Sequence, residues 1–199
     1  MTMLVHWHVK PAEAHDRDEL IQLWKQFMCE EHEQDMAMAE TSAEETTGQW
    51  ASRLERQIRQ GKVTVIGNDE QRVGFIGMID SDDAPWVPAS VAYIVDIYML
   101  PHARSFVAFK QLIEGFTQQV KPRYTQVWTN IAAHKHRVGA LLSRLGFTGL
   151  QDFEVPGMQD QCYLSKTIRE HDPRAGFPAG LAGFFDFIPE PCPMMQGRK

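Results

Sequence analysis

The stretch that most limits what this chain can fold into is SVAYIVDIYMLPHARSFVAFKQLIEGF, Ser90 to Phe116. From Val91 to Leu100 nearly every residue is apolar, the pattern of a strand covered on both faces. Pro101 stops it. Phe106, Phe109, Leu112, Ile113 and Phe116 then recur with the 3.6-residue period of a helix. TQVWTNIA, Thr125 to Ala132, reads as a further strand. Strand, helix and strand in succession imply a right-handed parallel crossover, so this region belongs to a sheet with helices against it.

The flanking segments extend the sheet. LVHWHV, Leu4 to Val9, alternates and ends at Lys10-Pro11, which predicts a short strand. Leu20, Leu23, Trp24, Phe27 and Met28 mark a helix, and Trp50, Leu54 and Ile58 a second one stopped by Gly61. The acidic segment between them, Glu30 to Thr47, is loop or continued helix. KVTVIGND and RVGFIGMID form a hairpin through Asn68 to Gln71. HRVGALLSRLGF is a short helix ended by Gly146, and GLQDFEVPG with QCYLSKTI closes as a hairpin. The order β-α-α-β-β-β-α-β-α-β-β predicts an α+β domain over residues 1–168. Residues 169–199, rich in Pro and Gly, form a tail whose GLAGFFDFIPEP packs on the domain or in a second subunit of a homodimer.

Twenty basic against 26 acidic residues give a formal charge of −6, which argues against a broad grip on nucleic acid. A local basic patch around Lys121, Arg123 and Lys135 leaves a nucleic-acid acceptor open. Cys29, Cys162 and Cys192 are far apart and odd in number, so neither a disulfide framework nor a zinc ribbon is expected, and a cytoplasmic setting is the simplest reading. No apolar run approaches the ~18 residues of a membrane span, and the N-terminus has no signal-peptide pattern.

The order of elements, with VKPAEAHDRDELIQL, VGFIGMI, DIYMLPHAR and LLSRLGF, resembles the GNAT superfamily of acyl-coenzyme A dependent N-acyltransferases over Val5 to Ile168. The resemblance implies a GNAT-like fold: a mixed, mostly antiparallel twisted sheet of six or seven strands with helices on both faces. It implies acetyl-coenzyme A as acyl donor, no metal, and a primary amine acceptor, either a small molecule or, alternatively, a modified nucleobase or macromolecule. By position, the backbone of Ile97, Tyr98 and Met99 would pair with the pantetheine arm. Arg104, Ser105, Phe106, Val107 and Ala108 would form the pyrophosphate turn at a helix start, where unpaired amides and the helix dipole attract an anion. Val107 and Phe109 stand where the family has glycines, and Ala108 with Asn130-Ile131 fits a shorter branch that includes phage-encoded members. The expectation is that Phe106, Val107 and Phe109 all point into the core and leave the amides open.

Asp96 sits where family members often carry an acidic residue and is the candidate base, or else caps a strand bulge. Leu142 replaces a tyrosine that protonates the departing thiolate in many members, so either another donor, such as Tyr98, Ser143 or a water, serves, or the thiolate leaves unassisted. Asp80, Asp82 and Asp83 lie where acceptors often bind, or form a solvated turn. Trp86 is an acceptor platform or a loop anchor. His134, Lys135, His136 and Arg137 form a basic patch able to meet the cofactor's 3′-phosphate or adenine, with Asn130 and Arg137 as cofactor contacts, or else a surface patch without ligand. His6 with His8, and His134 with His136, lack a third ligand at a suitable spacing, so no metal site is expected. If Val107, Phe109 and Leu142 have abolished catalysis, the chain is instead a GNAT-like binding module.

Overall fold

The computed structural model describes residues 7–32, 43–132, 135–150 and 161–169. The elements in chain order are β1 (His8–Pro11), a 3₁₀ turn (Ala14–Asp16), α1 (Arg17–His32), α2 (Ala43–Arg59), β2 (Val63–Gly67) and β3 (Arg72–Ile79). They continue with β4 (Val91–Met99), a 3₁₀ turn (Pro101–Ala103), α3 (Phe106–Val120), β5 (Gln126–Ala132), α4 (His136–Arg144), β6 (Thr148–Gly149) and β7 (Gln161–Thr167). The tail from residue 170, together with His6 and His134, lies outside the described residues.

The described strands form one seven-stranded sheet in the order β1-β2-β3-β4-β5-β7-β6. The β1–β2, β2–β3, β5–β7 and β6–β7 pairs are antiparallel, and β4–β5 is parallel as the crossover requires. The expected mixed α+β sheet is therefore present. Within the span read as one domain, contacts cluster in two compact units. One comprises the described residues of Met1–Ile79 and Val95–Gln119; the other comprises those of Asp80–Ile94 and from Val120 onward.

In the first unit, the β2–β3 hairpin closes through Asn68, whose side-chain oxygen accepts the N–H groups of Glu70 and Gln71 at 3.0 and 2.8 Å. All five residues of β2 are buried, because helices cover both faces. On one face Thr64 donates to Gln119 of α3 at 2.7 Å. On the other, Trp24 of α1 stacks on Trp50 of α2 at 4.6 Å, and Trp50 meets Phe75 of β3 at 6.2 Å. The predicted first strand is described at His8–Pro11, two residues past its expected end at Val9, while residues 4–6 lie outside the described residues. It is an edge strand, where proline is tolerated because its missing N–H faces away from the ladder.

A buried ion pair fastens this unit at its N-terminal end. Asp16 is fully buried and accepts from the Glu13 N–H at 2.8 Å and from Arg72 Nε at 2.7 Å, with Lys10 Nζ at 3.7 Å. Burial raises its pKa, but these three partners outweigh burial and hold the carboxyl below its usual range.

In the second unit, the β5–β7 ladder runs from Gln126↔Thr167 to Ala132↔Gln161. Gly146, at φ +86°, ends the turn after α4 in a conformation that side-chain-bearing residues rarely adopt. Among the described residues, no helix is long and apolar enough to cross a membrane.

Candidate active site

The parallel β4–β5 ladder covers only Val91–Ile94 of β4, and the strand continues past it from Val95 to Met99. That second half carries the candidate base. Asp96 and Tyr98 share a face of the strand, as its two-residue period dictates. The face is the one covered by α1 and α2: Asp96 meets Arg53 of α2, and the Tyr98 ring meets Phe27 of α1 at 5.7 Å and Phe75 at 6.4 Å. Ile97 and Met99 alternate to the other face.

The Asp96 side chain is 16% exposed, and its Oδ2 accepts from Arg53 Nη2 at 2.9 Å. Its other oxygen, Oδ1, has no hydrogen-bond partner among the described residues, yet it is not among their sealed, unpartnered polar atoms. Burial pushes the carboxyl above its usual range, and Arg53 offsets this only in part. The site is therefore a carboxylate with raised basicity, one oxygen held and one available. Gly77 makes room for it, since a Cβ at that position would come within 3.3 Å of Asp96 Oδ2.

The Tyr98 hydroxyl is engaged within the protein. It donates to Glu30 at 2.7 Å, and burial followed by this carboxylate partner pushes the phenol up to about 12. The Tyr98 proton is thus shared with Glu30, and a general acid at this position would have to give up that bond. Arg104 ion-pairs with the same Glu30, lies 5.5 Å over the Tyr98 ring, and donates from Nε to the Met99 carbonyl at 2.8 Å. One backbone acceptor expected to meet pantetheine is thus bonded within the chain. Burial raises the Glu30 pKa, but the bonds from Arg104 and Tyr98 prevail and hold it below the usual carboxylate range. Tyr98→Phe is expected to lower acyl transfer less than about tenfold, against the 10²- to 10⁴-fold typical of a lost general acid, and to lower stability by about 1 kcal/mol. Steady-state kinetics and urea unfolding of the variant check both.

At the head of α3, Ser105 Oγ accepts the Ala108 N–H at 3.1 Å, so the cap occupies one of the amides expected to face an anion. Val107's N–H has no bond among the described residues. Ala108 is buried, while Phe106 and Phe109 are half-buried. Val107 does not point into the core as expected: it is 63% exposed. The buried stripe of α3 runs through Ala108, Leu112, Ile113 and Phe116, and the ~100° step between helical neighbours turns Val107 off it.

The remaining expected site residues lie in the second unit. Asp80 is not solvated: it is 2% exposed and accepts from the Tyr124 hydroxyl at 2.6 Å and the Asp82 N–H at 3.0 Å, which orders its loop. Asp82 itself is exposed. Trp86 is 39% exposed and stands edge-on to Tyr93 at 4.9 Å. Tyr93 donates to Asn130 at 2.7 Å, and Asn130 donates to Gln161 at 3.0 Å, so the amide expected to contact cofactor is held at both ends by the protein. Arg137 is exposed on the first turn of α4.

No family model and no curated protein matches the chain. Solved structures do. PaiA N-acetyltransferase from Thermoplasma acidophilum, in complex with coenzyme A, aligns with a TM-score of 0.62 at 13% identity over 82% of this chain and 99% of its own. YncA from Salmonella typhimurium, with its cofactor acetyl-CoA, aligns with a TM-score of 0.60 at 14% identity over 85% and 99%. An acetyltransferase of the GNAT family from Staphylococcus aureus Mu50 aligns at 0.59 and 12% identity over 82% and 100%.

The chain has the GNAT fold. At these identities the likeness is one of fold alone. It agrees with the resemblance carried by DIYMLPHAR and LLSRLGF. Within this GNAT fold, Leu142 is 2% exposed, a packing residue of α4. Arg53 and Glu30, which organise the candidate site, were not singled out by the sequence. The one available signal was indirect: a carboxylate in an apolar strand needs a partner. Arg53, three residues after Trp50 of the α2 stripe, is such a cation at the stripe's polar margin.

Proposed function

We propose that the chain is an N-acyltransferase that moves an acyl group, acetyl in the first instance, from an acyl-coenzyme A to a primary amine by direct attack in a ternary complex. The observation that carries this reading is Asp96: a carboxylate of raised basicity with one oxygen available, on the part of β4 that runs past its parallel ladder. Support comes from the shared fold with structures that hold coenzyme A or acetyl-CoA.

In this reading Asp96 takes a proton from the acceptor's ammonium, directly or through water. The neutral nitrogen attacks the thioester carbonyl carbon, giving a tetrahedral oxyanion. Its collapse forms the amide and breaks the carbon–sulfur bond. The thiolate leaves unassisted or takes a proton from water, which its ordinary pKa of ~8.5 permits. Backbone groups of Ile97, Tyr98 and Met99 orient the donor. Ser105 to Ala108 at the head of α3 receive its pyrophosphate.

A second reading, a GNAT-fold binding module without catalysis, is favoured by the exposed Val107 and the Ser105 cap at the head of α3. Titration calorimetry with coenzyme A, followed by a thiol-release screen of amines with acetyl-CoA, separates the two. Cofactor binding with amine-dependent thiol release is the expected result. Binding without release from any amine would favour the module, and absence of coenzyme A binding at millimolar concentration would overturn the acyltransferase reading.

A further inference from the structure

We infer that the acceptor is a zwitterion, an amine that carries a carboxylate within a few bonds of its nitrogen, and that Arg53 is the residue that selects it. This deepens the acyltransferase reading and rests on it. The Arg53–Asp96 pair has hydrogen-bonding capacity left over. Arg53 uses one of its five N–H donors, Nη2 to Asp96 Oδ2, and its side chain is 38% exposed. Its Nε and Nη1 have no partner among the described residues. Asp96 likewise uses one oxygen and leaves Oδ1 available. A cation and an anion stand side by side, each half engaged with the other and half open.

A ligand that satisfies both must present an ammonium to Asp96 and an anion to Arg53 at close spacing. The planar guanidinium fork suits a carboxylate, which it binds through two parallel bonds. One turn earlier on α2, the Trp50 indole N–H is buried without an acceptor, a vacant donor at a spacing where helical side chains are neighbours. A simple alkylamine would engage Asp96 and leave this donor set idle. The Trp50 indole lies in an aromatic cluster with Trp24 and Phe75, so a bond from its buried N–H counts for more than it does in water.

The test compares kcat/KM, by thiol release with acetyl-CoA, for glycine, β-alanine and γ-aminobutyrate, each against the alkylamine of the same chain lacking the carboxylate. The best carboxylate-bearing acceptor should exceed its alkylamine by about 100-fold, the range of hydrogen bonds to charged groups. In Arg53→Gln that ratio should collapse to within about threefold of unity, with Arg53→Lys in between because a point charge lacks the fork. A ratio does not depend on how much of a variant is folded. Alkylamines or polyamines preferred by the wild type, or a preference that survives in Arg53→Gln, would overturn the inference while leaving acyl transfer intact. Absence of thiol release with every amine would overturn the acyltransferase reading, and this inference with it.

Discussion

Asp96→Asn is expected to lower kcat/KM for acyl transfer by about 10²- to 10⁴-fold, the usual contribution of a general base, while coenzyme A binding by calorimetry persists. The reason is that asparagine keeps the shape and the contact to Arg53 but cannot accept a proton from the ammonium. The pH dependence gives an independent reading. Only ionised Asp96 is a base, so the wild-type rate should fall as pH drops through its raised pKa. Arg53 is the group that holds this pKa down, so Arg53→Gln should move the acidic limb to higher pH. A wild-type profile flat in this region, or an Asp96→Asn variant of undiminished rate, would remove Asp96 from the mechanism.

The same shift has a consequence for stability. A folded-state pKa above the unfolded value means that the contribution of Asp96 is full below the unfolded pKa and is lost as pH rises through the folded one. Ionised Asp96 is therefore a burden on the fold at neutral pH. Arg53 is partly solvated, so losing its ionic partner costs little, and Asp96→Asn should leave stability within about 1 kcal/mol of wild type. Activity and stability separate at this residue.

Asp16 behaves in the opposite way. Asp16→Ala should reduce unfolding free energy by about 3–5 kcal/mol, because it leaves Arg72 without its buried partner and the Glu13 N–H without its acceptor. Here the folded pKa is depressed, so the stabilisation is present above the unfolded value of ~3.9 and is lost as pH falls through the folded one. Urea unfolding of wild type at successively lower pH should show stability falling on the acid side, and Asp16→Ala should show a shallower fall. An unchanged midpoint at pH 7 would show that the ion pair contributes nothing net.

Much of the fold was readable from the chain because its signals are local. The β2–β3 hairpin rests on Asn68 within its own turn, and the β4-α3-β5 crossover follows from an apolar run, a proline and a helical period within about forty residues. The site was legible only where it coincides with those elements. Asp96 could be picked out because a carboxylate in an apolar strand is anomalous, but its partner lies 43 residues away, and no periodicity reports such a pairing. Tyr98 was recognisable as a hydroxyl near the base, whereas Glu30, 68 residues earlier, decides what that hydroxyl does. Asp80 resembled a solvated loop residue because composition cannot register that Tyr124 buries it. Val107 was misjudged for a geometric reason: a hydrophobic residue at the start of a helix can lie one step off the buried stripe.

Gly77 sets a limit on how this protein can be improved. Buried strand positions ordinarily reward a β-branched residue, so a programme that raises β-propensity along β3 would select valine or isoleucine there. Any such side chain would crowd Asp96 Oδ2, which a Cβ alone would approach to 3.3 Å. The glycine is a weakness of the strand that guards the freedom of a carboxylate on its neighbour, and thermostabilising substitutions at position 77 would be won at the expense of the chemistry.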